Sequence, residues 1–213
     1  IIAINTSTDG TITVANAIDI NGSGSEVAAA FAAIDINTGN ATATITGNDY
    51  TVAQLKAINN ATTGVIVLVD PSLNLTGTAE DLVSAFAGTI TTHTGNITIT
   101  DTPTLAQLKT INNATSGTIT LQDPSFALTG STADIKAALA GTITTRNGTI
   151  MISITISDTN STAINAEDLS VIGAATAGTV TVTNAINISG TTSELIAALI
   201  TPSTKVFAST ANL

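Results

Sequence analysis

VAQLKAINNATTGVIVL at 52–68 returns as LAQLKTINNATSGTITL at 105–121. The copies align without a gap: Leu55 on Leu108, Lys56 on Lys109, Asn60 on Asn113 and Gly64 on Gly117, an offset of 53 residues. The shared stretch holds no obvious catalyst. Apolar residues at helical spacing come first, then a glycine, then strand alternation, so the repetition encodes architecture. A repeat of this kind is a supersecondary unit whose apolar face only a neighbouring copy can cover.

The offset persists beyond the opening stretch. VDPSLNLTGTAEDLVSAFAGTITT at 69–92 maps on QDPSFALTGSTADIKAALAGTITT at 122–145. A looser copy follows at 165–182 and 187–199, after extra residues near ISITISDTNST, and a partial copy leads the chain at 10–31. Each unit also splits in half, because Leu55, Leu82, Leu108 and Ile135 recur about every 26 residues, within the period of stacked repeats. Each half reads as a cap, a short helix, a glycine and two strands. Thr51, Thr78, Thr104, Thr191 and Ser23 each stand three residues before an acceptor, the spacing of a helix N-cap. Pro103 suits a first helical turn, and Gly64, Gly88, Gly117, Gly141 and Gly178 suit left-handed helix ends.

The expected fold is an α/β repeat. It is a right-handed solenoid of strand-turn-strand-helix coils, about 26 residues each, with parallel strands and short helices along one side. One elongated domain would span 1–213: a partial repeat at 1–47, repeats at 48–100 and 101–153, and a looser repeat at 154–213. The insertion near 151–161 would mark a boundary between two arrays.

Composition narrows the function. Only 9% of residues are charged and 2% aromatic, and about one position in five is threonine. The net charge is −10 with five basic residues, which excludes a nucleic-acid binder that must replace phosphate counterions. No apolar run of about 18 residues occurs, so membrane insertion is not expected. The absence of cysteine removes disulfides and thiolate chemistry. The chain opens IIAINTSTDG without Met or a basic segment, and so reads as a mature form or an excised piece.

The LAQLKTINNATSGTITL and LTGTAEDLVSAFAGTIT stretches resemble tandem repeats of very large secreted or cell-surface proteins of cyanobacteria and marine bacteria. The likeness covers most of 48–200. It implies a stalk, adhesin or filament role outside the cell, and it carries over no catalytic residue.

Candidate sites each have a plainer alternative. His93, the only histidine, sits in TTHTGN where the next repeat has Arg146 in TTRNGT, so it reads as a solvent-facing turn. The carboxylate pairs Glu80–Asp81 and Glu167–Asp168 lie at helix starts, where capping explains them. DTNSTAINAEDL at 158–169 lacks the glycine and final glutamate of a calcium loop. No cofactor is expected, with one exception: a looser calcium site could draw on Asp70, Asp101, Asp123 and Asp158, although Asp-Pro at 70 and 123 equally makes a turn. Thr-x-Thr strands at 11/13, 89/91, 118/120, 142/144 and 179/181 would stack into ladders like those of ice-binding surfaces, interrupted by Val65 and Val67.

Asn-x-Ser/Thr triplets occur at Asn5, Asn21, Asn40, Asn60, Asn74, Asn96, Asn113, Asn147, Asn160 and Asn187. Asn60, Asn113, Asn74 and Asn96 are the glycosylation candidates in a host able to glycosylate; Asn60 and Asn113 would otherwise cap helices. The ends, IIAI and KVFAST, read as uncapped strands. Ile1, Ile2, Ile4, Val206 and Phe207 are therefore the candidate interface, through which copies associate end to end or a longer array continues. The function expected is a non-enzymatic fibre or stalk; the alternative is a module that binds carbohydrate, ice or a host surface through a Thr/Asn face.

Overall fold

The computed structural model describes residues 1–146, 148–201 and 205–213. The chain divides into two units, Ile1–Thr98 with Ala114–Gly117 and Ile99–Asn113 with Thr118–Leu213.

The first unit opens with a one-turn helix, α1 (Ile2–Asn5), followed by β1 (Thr13–Val14), β2 (Asp19–Gly22) and α2 (Gly24–Ala32). Next come β3 (Ile36–Asn37), β4 (Thr42–Ile45), α3 (Val52–Ala61), β5 (Ile66–Leu68), β6 (Leu75–Gly77) and α4 (Ala79–Ala85). Caps set the helix starts. Ser23 and Thr51 form full capping boxes with Glu26 and Gln54, and Thr78 accepts the Asp81 N–H. Strand pairing here is parallel. Ile20 lies opposite Ala43 and Ala43 opposite Ile66, a step of 23 residues, and a bridge continues the row to Ile90. β1 pairs with β3 in the same sense. Val27, Leu55, Ile58 and Leu82 point from the helices onto these strands, and each is fully buried.

β7 (Ile97–Ile99) and α5 (Leu105–Ala114) carry the chain into the second unit. There follow β8 (Ile119–Leu121), β9 (Ala127–Gly130), α6 (Thr132–Ala138), β10 (Ile143–Thr145), β11 (Ser153–Ile156), β12 (Ala163–Asn165) and α7 (Ala166–Ala174). The last elements are β13 (Val180–Val182), β14 (Asn187–Ser189), α8 (Thr192–Leu199) and β15 (Val206–Phe207). Leu128, Ile154, Val180 and Val206 form one parallel row with a step of 26 residues. Ile119 pairs with Ile143, and Ile164 with Ile188, also in parallel. Leu108, Ile111, Ile135, Leu169 and Ile172 fill the core on the helix side. The fold is thus a parallel-stranded α/β repeat solenoid, its core built from branched aliphatic rungs.

Several local expectations are corrected. IIAI does not start as a strand, because Ile2–Asn5 closes a helical turn with the Asn5 N–H donating to the Ile1 carbonyl at 2.9 Å. Pro103 precedes the Thr104 cap instead of entering the helix; it is buried, as is Tyr50 at the matching place before α3. This is the staple position, where an apolar residue fixes the entry angle of the chain. The insertion near 151–161 marks no break, since β11 pairs with β9 on one side and β13 on the other.

The glycines after the helices do not adopt left-handed backbone. Among the described residues, glycines with positive φ are Gly22 and Gly148. Closeness is the reason for the others. A Cβ on Gly64 would lie 2.5 Å from the Ala41 carbonyl oxygen, on Gly117 2.1 Å from that of Gly95, and on Gly178 2.3 Å from that of Ile152. Gly88 and Gly141 instead face the side-chain oxygens of Asn59 and Asn112, at 2.1 and 2.0 Å.

Candidate functional site

Three recurring devices hold coil to coil, and together they define where another coil could be added. The first is Thr-x-Gly. The buried Thr62 hydroxyl donates to the Ala41 carbonyl at 2.5 Å and accepts the Gly64 N–H at 2.9 Å. Thr115 does the same with Gly95 and Gly117, and Thr176 with Ile152 and Gly178. One hydroxyl thereby satisfies a donor and an acceptor in a dry layer, where either left alone would be costly.

The second device is an asparagine near the end of a helix. Asn59 Nδ2 donates to the Ser84 carbonyl at 2.8 Å, and Asn112 Nδ2 to the Ala137 carbonyl at 3.0 Å. Each closes the C-terminus of the following helix. The capping role expected of Asn60 and Asn113 therefore belongs to their neighbours, and both Asn60 and Asn113 point to solvent. Asn112→Ala should lower stability by about 1 kcal/mol, whereas Asn113→Ala should leave it unchanged; urea unfolding of the two variants separates them.

The third is a lysine five residues after one cap, reaching the third residue of the next helix. Lys56 Nζ meets Asp81 Oδ1 at 2.6 Å and Lys109 Nζ meets Asp134 Oδ1 at 2.6 Å. Lys136 reaches Asp168 in the same way. Asp81 also accepts from the Thr78 hydroxyl; the Lys56 hydrogen bond, then that of Thr78, holds its carboxyl below the usual range. Glu80–Asp81 and Glu167–Asp168 are thus helix-start residues, and in each pair the aspartate is the pin.

The acidic candidates for calcium have partners within the fold. Asp70 Oδ1 accepts the Ser72 N–H at 3.0 Å, and Asp123 Oδ1 accepts that of Ser125 at 3.0 Å. Asp158 Oδ2 accepts both the N–H and the hydroxyl of Thr132, at 2.7 and 2.6 Å, across neighbouring coils. Asp101 also lies beside Pro-containing chain, at 101–103, and has a partner. Among the described residues no three acidic or histidine side chains converge on a metal-sized space.

His93 is not a solvent-facing turn. It is fully buried, its ring centroid 5.5 Å from that of Phe86, and neither ring nitrogen has a hydrogen-bond partner. Burial pushes its pKa below the ordinary value of 6.5; the Leu73 carbonyl, outside hydrogen-bonding geometry, opposes this only in part. Arg146, its sequence counterpart, is exposed. Exchange of charged for neutral side chains at one repeat position thus signalled a change of burial.

The glycosylation candidates fall into two groups. Asn60 and Asn113 are exposed, but the threonines completing their triplets are Thr62 and Thr115, both buried in the Thr-x-Gly device. Asn74 Oδ1 accepts the Asn96 N–H at 2.9 Å, which ties that pair into a coil contact. Asn147 lies outside the described residues.

The interface candidates are placed as follows. Ile2 and Ile4 are exposed at 43% and 58%, while Ile1 is half-buried. Val206 is buried beneath the β13–β15 pairing and Phe207 is 59% exposed. Sequence reasoning missed the helix beside them. The fourth residue after the cap is fully buried in α2 to α7, at Val27, Leu55, Leu82, Leu108, Ile135 and Leu169, but the matching Leu195 in α8 is half-exposed. Ile196 on the same helix and Ile200 at its C-cap are 47% and 70% exposed. The signal was available: Ile196 stands where α3, α5 and α6 carry their pinning lysine.

No helix among the described residues is long and apolar enough to cross a membrane. Comparison with models of protein families, with curated proteins and with solved structures returns no match.

Proposed function

We propose that this chain is a non-enzymatic structural repeat that extends a fibre or stalk on a bacterial surface, each added coil burying the flank of the one before. The observation that carries this is the half-exposed Leu195 flank of α8. The flank is bordered by exposed Ile196, Ile200 and Phe207 and by β15, which among the described residues pairs only with β13 in its sheet. What would cover it must bring both a parallel strand for β15 and a helix for α8. A coil of this same kind brings both, so the occupant is a second copy of the chain or further repeats of its own array. A heterologous contact of this sort need not close, and it then propagates. Placement outside the cell belongs to the same proposal and rests on the composition and on the resemblance of the repeats.

The test is assembly. Wild-type chain should give concentration-dependent growth in sedimentation velocity and elongated particles in electron micrographs, and Phe207→Asp should sediment as a single small species. Dispersed particles of one size from wild-type chain at high concentration would sink the filament form of the proposal.

A second use is favoured by one observation. In the second unit Thr129, Thr155 and Thr181 stand in register on three adjacent strands. Such a hydroxyl grid suits contact with an extended, regular surface such as ice or a glycan. Phe207 lies opposite Thr181 in that same row, so the variant that separates the two uses is Ile196→Asp on α8, which should block assembly and leave such binding intact.

A further inference from the structure

The first unit buries a titratable side chain whose ring makes no hydrogen bond. The His93 backbone is part of the stack: its N–H donates to the Ala114 carbonyl at 3.1 Å, and its carbonyl accepts the Ser116 N–H at 2.9 Å. Its imidazole lies in the apolar layer beneath, fully buried against Phe86, with both nitrogens unpaired. A phenyl ring would fill that space without loss. A charged imidazolium there would have no acceptor for either N–H, and burying an unpaired charge is among the most costly changes a core can suffer.

The surrounding elements offer no counter-charge. The 70–73 turn carries Asp70, whose carboxylate is held by Ser72. α4 carries Glu80 and Asp81 in its first turn, and Asp81 is bound to Lys56. The Ala114–Gly117 segment has no titratable group.

We propose that His93 is an acid-operated latch: the first unit is closed while the ring is neutral and opens around residues 86–95 when the ring takes a proton. The sign follows from linkage. The unfolded or opened segment binds the proton at about 6.5, and the closed one only at lower pH, because burial opposes the charge. Stability is therefore complete above pH 6.5 and is withdrawn as pH falls from there toward the closed-state value. Within that window the opened fraction should rise by up to about tenfold per pH unit. Loss from the aspartates comes later, since Asp70 and Asp81 are held below the usual carboxylate range.

The full chain provides its own probes, having a single histidine and a single tyrosine, Tyr50, which is buried in the same unit. Hydrogen-exchange protection at 86–95, corrected for intrinsic rates, should fall by up to about fivefold from pH 6.5 to 5.5, while His93→Phe should hold its protection over that interval. Parallel profiles for the two chains would overturn the latch. Independently of any variant, the His93 ring resonance should keep its neutral shift in the closed chain below pH 6.5. A ring that titrates at or above 6.5 in the folded protein would also overturn it.

Discussion

Gly117→Ala should weaken the first unit by about 3 kcal/mol or more, far beyond an ordinary surface substitution. The new Cβ would meet the Gly95 carbonyl oxygen at 2.1 Å and the Gly95 carbonyl carbon at 2.5 Å. Both are backbone atoms, held where the Gly95 N–H donates to the Pro71 carbonyl and the Gly95 carbonyl accepts the Thr115 hydroxyl, so no side chain can rotate aside. Relief requires the two coils to separate, which also breaks the Thr115 relay beside them. Urea unfolding followed through Tyr50 emission reads this unit directly, because that ring is only 1% exposed. Gly148, in the second unit, is the control, and calorimetry of the whole chain compares the two variants. Its φ is 76° and nothing lies within 4 Å of a Cβ there, so Gly148→Ala should lose only the left-handed backbone term, about 1 kcal/mol. Equal effects at the two positions would refute the close-approach explanation.

Thr176→Val should cost about 2–4 kcal/mol although it preserves shape, because it strands two buried polar groups. The Thr176 hydroxyl donates to the Ile152 carbonyl at 2.7 Å and accepts the Gly178 N–H at 2.9 Å. Valine satisfies neither, and water cannot easily enter a layer only 5% exposed at this residue. Thr176→Ser keeps the hydroxyl and should recover most of the loss. Calorimetry of the three chains gives the order wild type, serine, valine. If valine matched serine, the relay would be ornamental and packing alone would hold the turn.

How much of this was legible from residues alone varies with the physics involved. The helix starts were readable because a cap is local: Thr51 with Gln54 and Thr191 with Glu194 sit within one turn and need no tertiary knowledge. The parallel repeat was readable because the apolar rows recur with the period of the coils. Contacts between coils were not, since two partners more than 20 residues apart leave no local mark. A glycine after a helix has a familiar local explanation, and at Gly64 that explanation is wrong: the true cause is the Ala41 carbonyl, which no neighbouring residue announces. Of the twin asparagines 59 and 60, only helix phase decides which one faces the next coil. His93 misled because its counterpart is arginine, yet the two positions differ in burial. The strand step also escaped: the row Ile20, Ala43, Ile66 of the first unit steps by 23 residues, whereas the row Leu128, Ile154, Val180, Val206 of the second steps by 26.

The lysine pins have an effect on durability. Trypsin-like enzymes need an accessible basic residue in extendable chain, and this protein offers five in 213 positions. Lys56, Lys109 and Lys136 lie within helices and are tethered to aspartates, so a protease must first unwind the substrate to use them. Exposed Arg146 and Lys205 are then the places where digestion begins. The scarcity of positive charge thus leaves such a protease very little to grip.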